Sequence, residues 1–179
     1  MAQPKAAIEL LRLLHEAGVH TALDTCGAVS DWALEETLPL VDLMLFDVKT
    51  IDPEQHQAWT GVPFERVDAS ARRVNAAGVP VWVRTPVIPG YTADDATMRA
   101  VGRYVAETFA HCERHDLLAF SNLCITKYEQ LDREFALAGT PLLDAEEMER
   151  LTEVARQAGS PCACWSGPTR VVSAEQAAK

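Results

Sequence analysis

Asp24, Asp47, Lys49 and Arg84 are the residues whose types and spacing point most directly to chemistry. Asp47 and Lys49 close the run V-D-L-M-L-F-D-V-K, Val41 to Lys49. Its short apolar stretch reads as a parallel strand buried on both faces. Two residues apart on a strand, the carboxylate and the ammonium share a face. At a buried strand end such charges are costly to desolvate unless they pair or hold a ligand. Asp24 ends a similar run after His20-Thr21-Ala22-Leu23, and Arg84 lies in V-W-V-R-T-P-V, Val81 to Val87. Two carboxylates can hold a cation or an amine, while a lysine and an arginine can hold a carboxylate. The mixture suits a zwitterionic amino-acid moiety carrying ribose hydroxyls. Each residue also has a plainer reading. Asp24 can be a turn residue bonding its own backbone, Asp47 with Lys49 a structural ion pair, and Arg84 a core arginine paired with one of those carboxylates. Three charged strand ends on one rim favour a site over three coincidences.

The elements that must position these groups alternate. A helix is expected over Pro4 to Ala17, striped by Ile8, Leu11 and Leu14 and ended by Gly18. Val19 to Leu23 reads as a strand and Asp24 to Gly27 as a turn. Ser30 or Asp31 caps a helix to about Leu38, before the Leu43 to Val48 strand. Asp52-Pro53 starts a short helix, and Pro63 to Ala77 forms the next. Val81 to Val87 is a strand whose pairing ends at Pro86. Asp94 or Asp95 caps a helix to about Phe109, and Asp116 to Phe120 reads as a strand. Ser121 to Thr140 is a long connection of the kind that forms lids or binding loops. Asp144 caps a last amphipathic helix, and Pro161 to Trp165 reads as a final strand. This order predicts an α/β fold: a partial (β/α) barrel, half-barrel or curved parallel sheet with covering helices. Residues 1–172 form its single domain and 173–179 a frayed tail. The strand C-termini then bring Asp24 and Thr25, Asp47 and Lys49, Arg84 and Thr85, and Ser121 with Asn122 to one edge, where such folds keep their sites.

Composition narrows the functions. A net charge of −10 argues against a broad nucleic-acid or anionic-membrane surface. No apolar run approaches ~18 residues, so no transmembrane helix is expected. The N-terminus does not read as a signal peptide, and five cysteines without a secretory signal point to free thiols in the cytoplasm. Cys162 and Cys164 would point the same way on a strand, which leaves a metal role open beside the plainer reading of small strand residues. There is no phosphate cradle of the G-x-x-x-x-G-K-[ST] or G-x-G-x-x-G kind. None of the five histidines is expected at the rim, which argues against a histidine general base.

Longer motifs carry a family resemblance. H-T-A-L-D-T-C-G at His20 to Gly27, L-F-D-V-K at Leu45 to Lys49, H-Q-A-W-T-G-V at His56 to Val62, V-W-V-R-T-P-V-I-P-G-Y at Val81 to Tyr91, and S-N-L-C-I-T-K-Y at Ser121 to Tyr128 together resemble the glycyl-radical-enzyme activating enzymes. The pyruvate formate-lyase activating enzyme is the best-known member of that group within the radical S-adenosylmethionine superfamily. The resemblance implies a partial (β/α)6 barrel and a reaction in which a [4Fe-4S] cluster reductively cleaves S-adenosylmethionine. The resulting radical takes a hydrogen from a glycine of a partner enzyme. It also implies that Asp24 and Lys49 contact the methionyl part of the cofactor, that Arg84 lines that pocket, and that Asp24, Thr25 and Asp47 hold a monovalent cation.

Two departures stand out. The cluster motif C-x-x-x-C-x-x-C and the G-G-E-P motif are both absent from these residues. Relatives carry P-Y-H-N-L-G where this chain has Ala119 to Cys124, so Ser121 stands at the cofactor-contacting histidine position. The chain therefore resembles the C-terminal portion of an activase, with no [4Fe-4S] cluster of its own expected and no catalysis expected from it alone. A non-catalytic binding module or remnant, or one chain of a split activase, is the alternative. The partner by resemblance is a glycyl radical enzyme, with a missing N-terminal half or a second copy also considered, because the Val19 to Leu23 strand would become a bare sheet edge.

Overall fold

The computed structural model describes residues 3–171, so the 173–179 tail lies outside the described residues. Five strands form one all-parallel sheet in sequence order. They are β1 (Ala22–Thr25), β2 (Leu43–Asp47), β3 (Val81–Val87), β4 (Cys112–Ala119) and β5 (Ala163–Ser166). Seven α-helices connect and cover them: α1 (Pro4–Glu16), α2 (Asp31–Thr37), α3 (Pro53–Thr60), α4 (Phe64–Ala76), α5 (Asp95–Thr108), α6 (Ile125–Gln130) and α7 (Ala145–Gln157). A 3₁₀ turn over Leu38–Leu40 extends α2, where Pro39 stops regular helix. This is the expected open α/β sheet of partial-barrel type.

Local chemistry sets the helix starts. The carboxylates of Asp52, Asp94 and Asp144 accept from the backbone N–H groups of Gln55, Thr97 and Glu147 at 2.8, 2.9 and 2.8 Å. Each such cap is worth about 1 kcal/mol. Pro4 and Pro53 sit in first turns, where a missing N–H costs nothing.

One face of the sheet carries the core. Met44, Phe46, Val81, Val83, Val87 and Leu117 are fully buried beneath the helices. Truncating Phe46 to Ala would cost about 3–5 kcal/mol. The alternate residues, Leu43, Leu45, Asp47, Arg84 and Asp116, are only half-buried. The expectation that β2 is buried on both faces is thus corrected: its apolar run is continuous, but the sheet is helix-covered on one side only. β1 begins later than expected and takes Asp24 and Thr25 into the strand itself. β4 begins four residues earlier than Asp116, because the open face accepts Arg114 and Asp116 in alternation with buried His115 and Leu117. Pairing also runs past Pro86 to Val87 against Ala119. Because β2 has ended at Asp47, no partner on that flank needs the missing N–H. The connection after β4 contains α6, and Phe135 packs against both Tyr128 and Phe120, with centroids 4.9 and 6.5 Å apart.

Candidate functional site: a charged rim over an apolar cavity

Register places the charged groups. Asp47 lies opposite Arg84 across the β2–β3 ladder, so their side chains leave the same face. Arg84 donates through Nε and Nη2 to Oδ1 of Asp47 at 3.0 and 2.7 Å. Its Nη2 also donates to Oδ1 of Asp24 at 2.5 Å. Lys49 Nζ donates to the other oxygen of Asp47 at 2.9 Å. The result is a four-residue chain of alternating charge, Asp24–Arg84–Asp47–Lys49, across three strand ends. Burial works against the charge on Arg84, but the hydrogen bonds to Asp24 and Asp47 outweigh it and raise the guanidinium above its ordinary pKa.

The β1–α2 turn is held tightly beside this chain. Thr25 Oγ1 accepts from the Gly27 N–H at 3.1 Å, and buried Ser70 donates to the Gly27 carbonyl at 2.7 Å. Gly27 has φ +73°, and a Cβ there would lie 2.8 Å from the Phe46 ring, so both conformation and space demand glycine.

Next to the rim is a cavity of about 700 Å³. Asp47 and Lys49 form its charged end. Trp59, Tyr91, Val62, Val67 and Ile88 form apolar walls, and Ala136 with Leu137 from the long connection line it too. Trp59 and Tyr91 meet edge to face at 5.4 Å. Such a chamber holds a ligand with a charged end and a flat or apolar body.

His56 lines the same cavity, with Val62 and Thr60 as its hydrogen-bond partners and none to the Arg84 chain among the described residues. Its Nδ1 is 2.7 Å from the Val62 carbonyl, which can only accept, so Nδ1 is the donor there. The Thr60 hydroxyl donates to the His56 carbonyl at 2.7 Å and accepts from the Val62 N–H at 3.2 Å. The H-x-x-x-T-G spacing therefore folds the chain back around the ring. The signal lay in the His56 to Val62 motif, which sets histidine and threonine on one helical face.

Thr85, expected at the rim, turns to the helix-covered side and is fully buried against His115 at 3.1 Å. Ser121 and Asn122 follow β4 half-buried, with no hydrogen bond to the Arg84 chain among the described residues. Asp116 went unnoticed as a site neighbour. It lies opposite Arg84 in register on β4 and accepts from Arg114 at 3.0 Å and Ser166 at 3.2 Å. The period-two pattern Arg114, Asp116 was its trace in the sequence.

The donor set can be matched to the groups implied by the resemblance. Lys49 has N–H groups beyond the one given to Asp47, and Arg84 retains Nη1, so a ligand carboxylate has donors. Asp24 and Asp47 offer hard oxygen ligands of the kind a monovalent cation takes; Thr25, expected to share that role, lies opposite buried Phe46 in register, so its side chain leaves the other face and its hydroxyl accepts from the Gly27 N–H. In charge and donor type Asp24, Asp47, Lys49 and Arg84 are compatible with the amino-acid end of S-adenosylmethionine. A [4Fe-4S] cluster does not fit: among the described residues no three Cys, His, Asp or Glu side chains converge as metal ligands. Cys162 is instead beside Cys112, their sulfurs 3.6 Å apart.

Comparisons with known proteins agree with this architecture. Residues 1–101 match the model of the radical SAM superfamily. The isethionate sulfite-lyase activating enzyme of Nitratidesulfovibrio vulgaris is 39% identical over 158 residues, 87% of this chain and 50% of that protein. The pyruvate formate-lyase-activating enzyme of Clostridium pasteurianum is 30% identical over 155 residues, 87% of this chain and 64% of that protein. The chain spans about half the length of the first of these relatives. A solved domain of the pyruvate-formate lyase-activating enzyme from Bacteroides vulgatus shares the fold, with a TM-score of 0.76, 23% identity, and coverage of 93% of this chain and 92% of that one. No helix among the described residues is long and apolar enough to cross a membrane. With more than half its length matched by the family model, and with a parallel sheet of the expected kind, the chain belongs to the radical SAM superfamily.

Proposed function

We propose that this chain is the cofactor-orienting part of a glycyl-radical-enzyme activase. It would take the methionyl end of S-adenosylmethionine at the Asp24–Arg84–Asp47–Lys49 rim and the rest of the cofactor in the adjoining cavity. The observation that carries this reading is the Arg84 bridge between Asp24 and Asp47 beside Lys49, which presents both signs of charge at the mouth of an apolar chamber. In this reading Lys49 and Arg84 receive the ligand carboxylate. Asp24 and Asp47 hold a monovalent cation against it. The walls from Trp59 to Leu137 exclude water from the ligand body. When bound, S-adenosylmethionine supplies the carbon–sulfur bond whose reductive cleavage starts radical chemistry. The electron source and cluster ligands are assigned outside these 179 residues, on the same or another polypeptide, so the chain alone is not expected to turn over. The relatives are named as activating enzymes of an isethionate sulfite-lyase and a pyruvate formate-lyase, which together with the motif resemblance favours a glycyl radical enzyme as the protein acted upon.

Calorimetric titration with S-adenosylmethionine, with and without potassium, tests the reading. Binding that requires the cation and is lost in Asp24→Ala and Lys49→Ala supports it. Absence of binding at millimolar ligand, in protein that unfolds cooperatively, would move the non-catalytic binding module ahead.

A further inference from the structure

Far from the rim, at the N-terminal end of the sheet, two cysteines meet. Cys112 opens β4, and Cys162 precedes β5 by one residue. Their sulfurs are 3.6 Å apart, with the Cys162 thiol donating to the Cys112 sulfur. The Cys112 thiol donates in turn to the Arg114 carbonyl at 3.3 Å. Both residues are half-buried rather than sealed. The backbone holds them in place: the His115 N–H donates to the Cys162 carbonyl at 3.1 Å, and Ala163 lies opposite His115 in the ladder. Buried Ser160, two residues before Cys162, is 3.0 Å from Nδ1 of buried His115.

We propose that Cys112 and Cys162 form a reversible redox site, closing to a disulfide that staples the outer strand β5 to β4. The sulfurs already touch, so closure to a bond of about 2.05 Å asks for a shift of roughly 1.5 Å at an edge strand only four residues long. A peroxide supplies the oxidant. The Cys162 sulfur attacks one peroxide oxygen, the O–O bond breaks, and one water leaves as a sulfenic acid forms. The Cys112 sulfur then attacks the Cys162 sulfur, the S–O bond breaks, and a second water leaves. Two thiols lose two electrons and two protons; one hydrogen peroxide becomes two waters. Burial and the neighbouring Cys162 sulfur push the Cys112 thiol up to about 12, which makes it the poorer first attacker on peroxide; in the second step its proton leaves with the departing water. Cys164 lies on the same strand edge but beside Asp116, away from Cys112 in register.

Titration of the full chain with hydrogen peroxide, read by intact mass, tests this. The expected product has lost two hydrogens, and dithiothreitol restores the original mass. Cys112 and Cys162 fall on different tryptic peptides, ending at Arg114 and Arg170. Non-reducing digestion should therefore yield that linked pair, and a Cys164→Ser background should retain it. The oxidised protein should unfold several degrees higher than the reduced one. Cys112→Ser and Cys162→Ser should each lose both the link and the shift, and a Cys26→Ser, Cys124→Ser variant should keep both. A link that persists in Cys112→Ser, an intermolecular link through Cys26, or oxygen addition without any link would overturn the proposal.

Discussion

The Arg84 bridge makes a quantitative prediction because its two arms differ in exposure. Arg84 and Asp47 each keep only 24% of their side-chain surface in water, whereas Asp24 keeps 60%. Exposed ion pairs contribute about 0–1 kcal/mol, and breaking a fully buried one costs roughly 3–5 kcal/mol. The Arg84–Asp47 arm lies between these limits and should couple by about 2 kcal/mol, with the Arg84–Asp24 arm below about 1 kcal/mol. Arg84→Met leaves Asp47 with Lys49 alone and should lower the thermal midpoint by roughly 4–8 °C in a chain of this length. Two double-mutant cycles, Arg84→Met with Asp47→Asn and Arg84→Met with Asp24→Asn, separate the arms by urea denaturation at neutral pH. Raising the salt concentration should shrink the Asp24 term more than the Asp47 term. Equal couplings, the reverse order, or an Arg84→Met variant more stable than the parent would refute the argument from burial.

His115 and Gly102 give further predictions. Buried His115, hydrogen-bonded to Thr85 and Ser160, is held by desolvation down to about 4 against an ordinary 6.5. Below 6.5 the unfolded chain binds a proton that the folded one refuses. Stability from this group is therefore whole above 6.5 and falls by about 3 kcal/mol on approach to 4. Urea midpoints at pH 7 and 4.5 should separate less in His115→Gln than in the parent, and equal separations would contradict the assignment. A Cβ at Gly102 would come within 2.7 Å of the Ala155 carbonyl, where α5 crosses α7. Gly102→Ala should cost about 1–3 kcal/mol by forcing those helices apart, measurable as a lower urea midpoint; an unchanged midpoint would mean the pair separates freely.

Much of this was legible from local patterns. The alternation of apolar runs with Asp- and Pro-started helices specified the parallel sheet, and two-residue spacing put Asp47 and Lys49 on one face. What the sequence could not carry was lateral register. That Arg84 stands opposite Asp47 on one side and Asp116 on the other follows from ladder pairing between segments 30 or more residues apart, and no local spacing reports it. Thr85 was misassigned for a related reason. Adjacent strand residues face opposite ways, so once Arg84 faces the rim, Thr85 must face the helices. His56 was missed because a helix before a loop gives no hint that Thr60 and Val62 wrap its ring into the cavity wall. The start of β4 was hidden by its charges, which look unlike a strand until one face of the sheet is known to be open.

The sheet order has a consequence for how the molecule is made. Among the described residues each strand from β2 onward pairs with the one synthesised before it, from Ala22 against Leu43 in the first ladder to Leu118 against Ser166 in the last. Among the described strands none waits for a partner from the far end of the chain. As the polypeptide leaves the ribosome, every strand–helix unit can dock on an edge already in place, and growth of the core keeps pace with translation. At each moment the growing template is the edge of the newest strand, while the outer edge of β1 has no partner among the described residues. The growing edge is therefore a moving one, and it comes to rest at β5, next to the Cys112–Cys162 pair.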